Sequence, residues 1–280
     1  MSYNVACTMA SSPATASGDE SVATNSSISS RFTILVLLAA SLLVPAPTRA
    51  QELPDGQAVL RAMHDRYQNN WYDTVTFSQV STTHNPDGTS KSEIWREALM
   101  VPGELRIDIG PLTDGNGYVF AHDTLTAFHG GKIAETRPFV HMLLVLGFDV
   151  YRQPAEKTIA TVREKGFDLA AIHDDTWQGQ PVYVIGAAKG DLTSRQFWIE
   201  KNRLLFVRLI QPDEHDKTKT ADSRFADYRR LSVGWIAARV DFFLDGKNTF
   251  SESYSNIRVN PKLDPAVFDP KQFNSRHWEK

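Results

Sequence analysis

The sequence contains almost no cysteine. Its single cysteine, Cys7, lies in an N-terminal stretch that is rich in Ser, Ala and Thr and has no hydrophobic periodicity. Residues 51–280 contain none, which excludes disulfide bonds, thiol catalysis and zinc–thiolate sites from that part of the chain.

The sequence also lacks an excess of either charge. It has 30 Lys and Arg against 33 Asp and Glu, a formal net charge of −3. Residues 1–50 carry two basic and two acidic residues, so residues 51–280 keep the same balance. A chain that binds nucleic acid or an anionic membrane surface normally shows a basic excess or a basic cluster. We therefore predict no nucleic-acid partner.

The short motifs of common enzyme classes are missing as well. There is no G-x-S-x-G, no H-E-x-x-H, no Walker loop and no G-x-G-x-x-G. His122 and His129 flank one short strand, which places them on the order of 20 Å apart, too far to share a metal ion. The charged stretch 211–223 is typical of a solvated loop. The sequence thus predicts no catalytic residue, no cofactor and no metal site, and the protein is not expected to be an enzyme.

Long apolar runs are limited to one, near the N-terminus. After Arg31, residues 32–44 are almost wholly apolar, and small residues follow at Thr48 and Ala50. This order predicts a signal peptide over residues 31–50, cleaved after Ala50, and hence a periplasmic protein. An uncleaved membrane anchor is the alternative, but the apolar core is short for a span. Residues 1–30 are either a disordered leader or a wrongly assigned start, and residues 51–280 are expected to form one domain.

Beyond residue 51 the hydrophobic pattern predicts a mainly β protein. Residues 54–70 show helical spacing, and the chain then changes to period-two alternation broken by Gly, Asn, Asp and Pro turns. We predict about eleven or twelve antiparallel strands joined mostly by hairpins. Residues 154–166 are compatible with a second helix or a loop, and His173–Asp174–Asp175 are interpreted as a turn at a strand end.

One apolar stretch, PFVHMLLVLGF (138–148), interrupts the strands. As a helix it would be apolar on every side, so it must be buried or must contact something apolar. It would span only about 16 Å, about half the thickness of a bilayer core. His141 within it could bond a backbone carbonyl or face a polar headgroup.

Four stretches resemble the LolA-like superfamily of periplasmic lipoprotein carriers and their lipid-binding relatives. They occur in the expected order along the chain and correspond to the family's first strand, a Pro-Gly turn with the strand after it, a later hairpin and the closing segment. They are Phe77–Ser78–Gln79, MVPGELRIDI (100–109), FWIEKNRLLFVRLI (197–210) and YSNIRVNPKLDPAVFDP (254–270). Within the last, Asp264 is expected to cap a single helical turn that Phe268 anchors.

The resemblance implies a strongly curved, open antiparallel sheet, or half-barrel, whose concave apolar face is roofed by helices. It implies a periplasmic carrier that holds acyl chains of lipoproteins or other lipids and exchanges them with inner- and outer-membrane transport partners. A non-transporting envelope sensor, a structural protein of the same fold and, less readily, a secreted enzyme are the alternatives. One position departs from the family: Val101 stands before the turn proline, where the best-known carriers have a basic residue that latches the lid.

Alternation assigns the faces of the predicted sheet. Leu105, Ile107 and Ile109 share one face, expected to be the lipid-binding one, whereas Arg106 and Asp108 are expected to face solvent. Leu105→Arg should therefore abolish ligand binding or destabilise the fold, whereas Asp108→Arg should leave the stability almost unchanged. The candidate lipid-binding residues are Phe77, Leu105, Ile107, Ile109, Phe120, Leu125, Phe139, Met142, Leu143, Leu146, Phe197, Ile199, Ile236, Val240 and Phe242.

The first testable prediction concerns processing. Because the apolar core ends at Val44 and small residues occupy positions 48 and 50, the mature protein should begin at Gln51 and be recovered from the periplasmic fraction. N-terminal sequencing of that fraction measures this directly. Recovery of the full-length chain with membranes alone would contradict it.

Overall fold

The computed structural model describes residues 52–278, and the predicted leader and signal peptide lie outside these residues. Three α-helices are present within them: α1 Gly56–Tyr67, α2 Met142–Gly147 and α3 Ala155–Glu164. Thirteen strands make up the rest of the regular structure: β1 Thr74–His84, β2 Ser90–Met100, β3 Glu104–Ile109, β4 Asn116–Ala121, β5 Thr124–His129, β6 Lys132–Pro138, β7 Ile172–Trp177, β8 Gln180–Ile185, β9 Gln196–Glu200, β10 Leu205–Pro212, β11 Thr220–Arg230, β12 Trp235–Leu244 and β13 Lys247–Val259. No helix in this part of the chain is long and apolar enough to span a membrane.

All thirteen strands form one open, curved antiparallel sheet in the order β6-β5-β4-β3-β2-β1-β13-β12-β11-β10-β9-β8-β7. Two hairpin meanders meet at the centre, where β1 pairs with β13. The predicted fold class is confirmed. The strand count exceeds the expected eleven or twelve. The turn interpreted at His173–Asp174–Asp175 is wrong, because these residues belong to the edge strand β7. An edge strand is only partly buried and accepts such polar residues.

The segment between β6 and β7 carries α2, a 3-10 turn at Asp149–Tyr151 and α3. Since β6 and β7 are the two edges of the sheet, this segment crosses from one edge to the other over the inner face. Helix α1 packs beside it: Arg61 is ion-paired with Glu156 of α3 at 2.9 Å, and Tyr151 stacks on Trp71, which follows α1, at 4.0 Å. We call residues 139–153 the roof. Residues 154–166, left open between helix and loop, thus contain helix α3.

The outer face of the sheet is covered by the C-terminal tail, residues 261–278. Asp264 caps a 3-10 turn at Pro265–Phe268 by accepting a hydrogen bond from the amide of Ala266 at 3.0 Å, which confirms the predicted cap. Phe268 packs on Ala98, and the ring of Phe273 lies parallel to that of Phe128 at 3.9 Å. The tail thus encloses a second, smaller apolar layer.

This tail overturns the expectation that Arg106 and Asp108 face solvent. The side chain of Arg106 is fully buried and makes two hydrogen bonds to the Asp108 carboxylate, of 2.9 and 3.1 Å. It also donates to the carbonyl oxygens of Val267, Phe273 and Arg276. The alternation correctly assigned the face, but it could not distinguish solvent from a polar interface with another part of the chain. Arginine at position 108 would place two buried cations together.

The buried pair gives the second prediction. Arg106→Met leaves the Asp108 carboxylate buried without its partner and removes the bonds that hold the tail. The free energy of unfolding should fall by about 3–5 kcal/mol in urea denaturation. The control is Arg239→Met, because Arg239 also pairs with an aspartate two residues later, Asp241, but is 51% exposed. That change should cost about 1 kcal/mol or less, and equal losses in the two variants would refute the structural role of the buried pair.

Candidate ligand-binding cavity beneath the roof

A cavity of about 100 Å³ lies between the roof and the inner face of the sheet. Its walls come from strands on both sides of the β1–β13 junction and from the roof. They are mostly apolar, with two carboxyl groups, one phenol and one imidazole among them. The lining residues are Glu97, Leu99, Leu105, Ile107, His141, Leu143, Leu144, Phe148, Phe225, Val240, Phe242, Glu252 and Tyr254.

A larger depression of about 490 Å³ adjoins this inner cavity and shares His141 and Leu143 with it. It opens between the roof and the loop that joins β10 to β11. Its rim is charged, with Arg137, Lys165, Arg195 and Lys217 on the basic side and Asp213 and Glu214 on the acidic side. Volumes of roughly 300–1,000 Å³ are usual for small-molecule sites, and a dry cavity of about 150 Å³ holds benzene. The outer depression is therefore large enough for a ligand, whereas the inner cavity admits an alkyl chain only if the roof shifts.

The roof helix is shorter than predicted. Only Met142–Gly147 are helical, because β6 continues to Pro138 and His141 starts the helix by accepting a hydrogen bond from the amide of Leu144 at 3.4 Å. The helix ends where it lies against the sheet: a Cβ atom added at Gly147 would come within 3.3 Å of the Phe225 ring. Isolated helices of this length are unstable in water, so packing against the sheet holds this one in place.

The structure brings some of the candidate lipid-binding residues together at the cavity. Leu105, Ile107, Leu143, Val240 and Phe242 line its inner part, and Phe139, Met142 and Leu143 line the outer depression. The remaining candidates do not line either space. Ile109, Phe120 and Leu125 continue the inner face toward the β6 edge, and the others belong to the buried core: Phe77, Leu146, Phe197, Ile199 and Ile236.

The roof is fastened to the β2–β3 turn by a carboxylate. The backbone amide of Gly103 donates to the buried Asp149 Oδ1 at 2.9 Å, while Val101 packs into the core. As in the latch of the best-known carriers, the turn donates and the roof accepts, but here the donor is a backbone amide and the acceptor is a side chain. Burial raises the pKa of Asp149 to about 7, against the effect of the Gly103 amide. Three residues further along the roof, Arg152 is ion-paired with Asp73.

Two glutamates on the inner face were not predicted from the sequence. Glu97 is only 6% exposed, and Glu252 accepts a hydrogen bond from the Tyr254 hydroxyl at 2.8 Å. Burial raises the pKa of Glu97 well above its usual range, with the nearby Glu252 carboxylate adding to the effect, and burial raises the pKa of Glu252 to about 7. Alternate residues of a strand share one face, so Glu97 lies on the same face of β2 as Leu99. This alternation was the only sequence pattern that could have identified Glu97 as an inner-face residue.

The Asp149 latch gives the third prediction. A pKa raised in the folded state gives stability that is present below the unfolded pKa and is lost as pH rises through about 7. Wild-type protein should therefore unfold more easily in urea at pH 8 than at pH 5. Asp149→Asn keeps an acceptor for Gly103 but cannot ionise, so this loss should shrink by on the order of 2 kcal/mol. The control is Asp114→Asn, at an exposed position between β3 and β4, which should leave the loss of stability between pH 5 and pH 8 unchanged. If Asp149→Asn loses as much stability as the wild type over this range, the prediction is contradicted.

Neither a protein-family model nor a curated protein matches the chain, but solved structures do. A putative outer membrane lipoprotein-sorting protein domain from Vibrio parahaemolyticus is 14% identical with a TM-score of 0.53, and the match covers 78% of this chain and 98% of that one. A DUF1329 family protein from Desulfovibrio piger is 13% identical with a TM-score of 0.50, over 76% of this chain and 95% of that one. At these identities the likeness shows the fold alone, and the fold of this chain is LolA-like.

Proposed function

We propose that the protein is a periplasmic carrier that binds acyl chains of lipoproteins or other lipids beneath the roof and moves them through the envelope towards the outer membrane. The observation that carries the proposal is the apolar cavity between a short roof helix and an open sheet. Inner- and outer-membrane transport partners would load and unload it. The lipoprotein-sorting description of the Vibrio parahaemolyticus domain agrees with this function.

The packing of the inner face supports a cavity that holds a ligand. The sheet is open and thirteen strands wide, so its inner side chains cannot close on one another as they do in a small barrel. The roof covers this face, and the space that remains is bordered by aliphatic and aromatic groups such as Leu105, Val240 and Phe242. Each methylene of an acyl chain transferred into such a space contributes about 0.8 kcal/mol.

The attachment of the roof supports release of the ligand. Its polar bonds to the rest of the chain include those of Phe139 to the carbonyl of Asp123, Asp149 to Gly103, Tyr151 to the amide of Phe206, and Arg152 to Asp73 and to the carbonyl of Gln68. Apolar packing of the six-residue helix and of Phe148, Val150 and Tyr151 supplies the remainder. A segment held by a few bonds and one apolar face opens at lower free energy than the strands of the sheet. Ligand entry and exit therefore require movement of the roof only.

Extraction is the direct test of the cargo. Protein purified from its own periplasm should release stoichiometric lipid or acylated peptide into organic solvent, identified by mass spectrometry. Chemically unfolded and refolded protein serves as the control, because it has lost its cargo. Absence of any apolar molecule from both the native and the refolded preparations would argue against a carrier.

The fourth prediction concerns the wall of the cavity. Met142→Ser combined with Leu143→Ser removes apolar wall from the roof and leaves the sheet intact. Binding of a fluorescent long-chain methyl ester should weaken at least tenfold, while the free energy of unfolding falls by roughly 2–3 kcal/mol. Both quantities are measured on refolded, lipid-free protein.

The matched control is Val80→Ser combined with Ile94→Ser. These two apolar residues are cross-strand partners, are exposed and do not line the cavity. Ester binding should stay within about twofold of wild type. Failure of the wild type to bind the ester, or equal weakening in both double variants, would contradict the carrier function.

A further inference from the structure

The inner cavity contains two carboxyl groups in a wall that is otherwise almost entirely apolar. Glu97 projects from β2 and Glu252 from β13, and β1 lies between these strands. In the sheet register, Phe77 is opposite Glu97 and Ser81 is opposite Glu252. Both carboxyl groups therefore reach the same cavity from either side of the central strand.

Glu97 is an acceptor without a partner. Glu97 is only 6% exposed, yet its carboxyl group receives no hydrogen bond from any residue in 52–278. A buried carboxyl group in this state is costly, since an ionised carboxylate can accept several hydrogen bonds. Glu252 receives hydrogen bonds from the side chains of Tyr254 and Gln79. On β1, the side-chain oxygen of the fully buried Gln79 also has no partner among these residues.

No positive side chain balances the pair. The lining residues include no lysine or arginine, and the remaining titratable groups are Tyr254 on β13 and His141 on the roof. Burial lowers the pKa of His141 to about 4, so its imidazole is neutral at pH 7. The cavity therefore holds acidic acceptors with no cation among its lining residues, and a ligand group that donates hydrogen bonds and carries positive charge would pair with them and favour their ionised form.

We propose that Glu97 and Glu252 bind the protonated amine of an amphiphilic ligand whose alkyl chain extends toward the outer depression, so that the protein selects amine-bearing lipids over free fatty acids. An ammonium group supplies three donors and one positive charge between the two carboxylates. A hydroxyl group supplies one donor and no charge. The carboxylate of a fatty acid would add a negative charge to a site that already holds two acidic groups. This inference rests on the proposed function, because it assumes that the cavity holds apolar chains.

The test compares three ligands with the same chain: dodecylamine, dodecanol and dodecanoate. Each displaces the fluorescent methyl ester from lipid-free full-length protein at pH 7.5. Dodecylamine should bind at least tenfold more tightly than dodecanoate, with dodecanol between them. Its affinity should also rise from pH 6 to pH 8, because Glu252, whose pKa is raised to about 7, ionises over this range while an alkylamine, with a pKa of about 10, stays protonated.

Glu97→Gln should reduce the advantage of dodecylamine over dodecanoate at least tenfold and flatten its pH dependence, while dodecanol stays within about threefold of wild type. The control is Glu93→Gln on the same strand, since Glu93 does not line the cavity and should leave all three affinities unchanged. Glu252→Gln tests the same site independently should the first variant fail to fold.

The possible outcomes separate the two proposals. Equal displacement by dodecylamine and dodecanoate in the wild type, or an unchanged preference in a folded Glu97→Gln or Glu252→Gln variant, would overturn the amine site and leave the carrier function standing. Failure of the methyl ester and all three ligands to bind would overturn the carrier function itself.

Discussion

The crossing of one chain segment between the two edges of an open sheet determines most of what this molecule can do. Strands β6 and β7 are the outermost strands, so residues 139–171 must traverse the inner face to connect them. That traverse supplies the roof, and the roof converts an exposed apolar surface into an enclosed cavity. Without it the sheet would present a large apolar patch to water, which favours aggregation.

The two faces of the sheet deal with buried charge in opposite ways. On the outer face Arg106 is satisfied by Asp108 and by three tail carbonyls, and the arrangement fixes the tail in place. On the inner face Glu97 lacks a partner within the described part of the chain, and its burial lowers stability at neutral pH. A buried polar group without a partner is unfavourable, so the two faces of one sheet differ in how well their buried charged groups are satisfied.

Much of the fold could be predicted from local patterns, and parts of the site could not. Period-two alternation gave the strands and the inner face of β3, and Asp264 before Pro265 gave the helical turn in the tail, because each depends on neighbouring residues only. The burial of the Arg106–Asp108 pair depends on tail residues such as Val267, 161 positions after Arg106, which no local pattern contains. Glu97 and Glu252 meet only through the pairing of β1 with both β2 and β13. The turn predicted at His173–Asp174–Asp175 is wrong because apolar and polar residues alternate only weakly in the edge strand β7.

The central pairing of β1 with β13 also has a consequence for how the protein is made. Asp73, just before β1, is bonded to Asn260, just after β13, and these residues lie 187 positions apart. The two meanders can each form hairpins early, but the sheet cannot join until the last strand has arrived, and contacts of such separation make folding slow. The order of the strands thus couples the completion of the binding cavity to the completion of the chain.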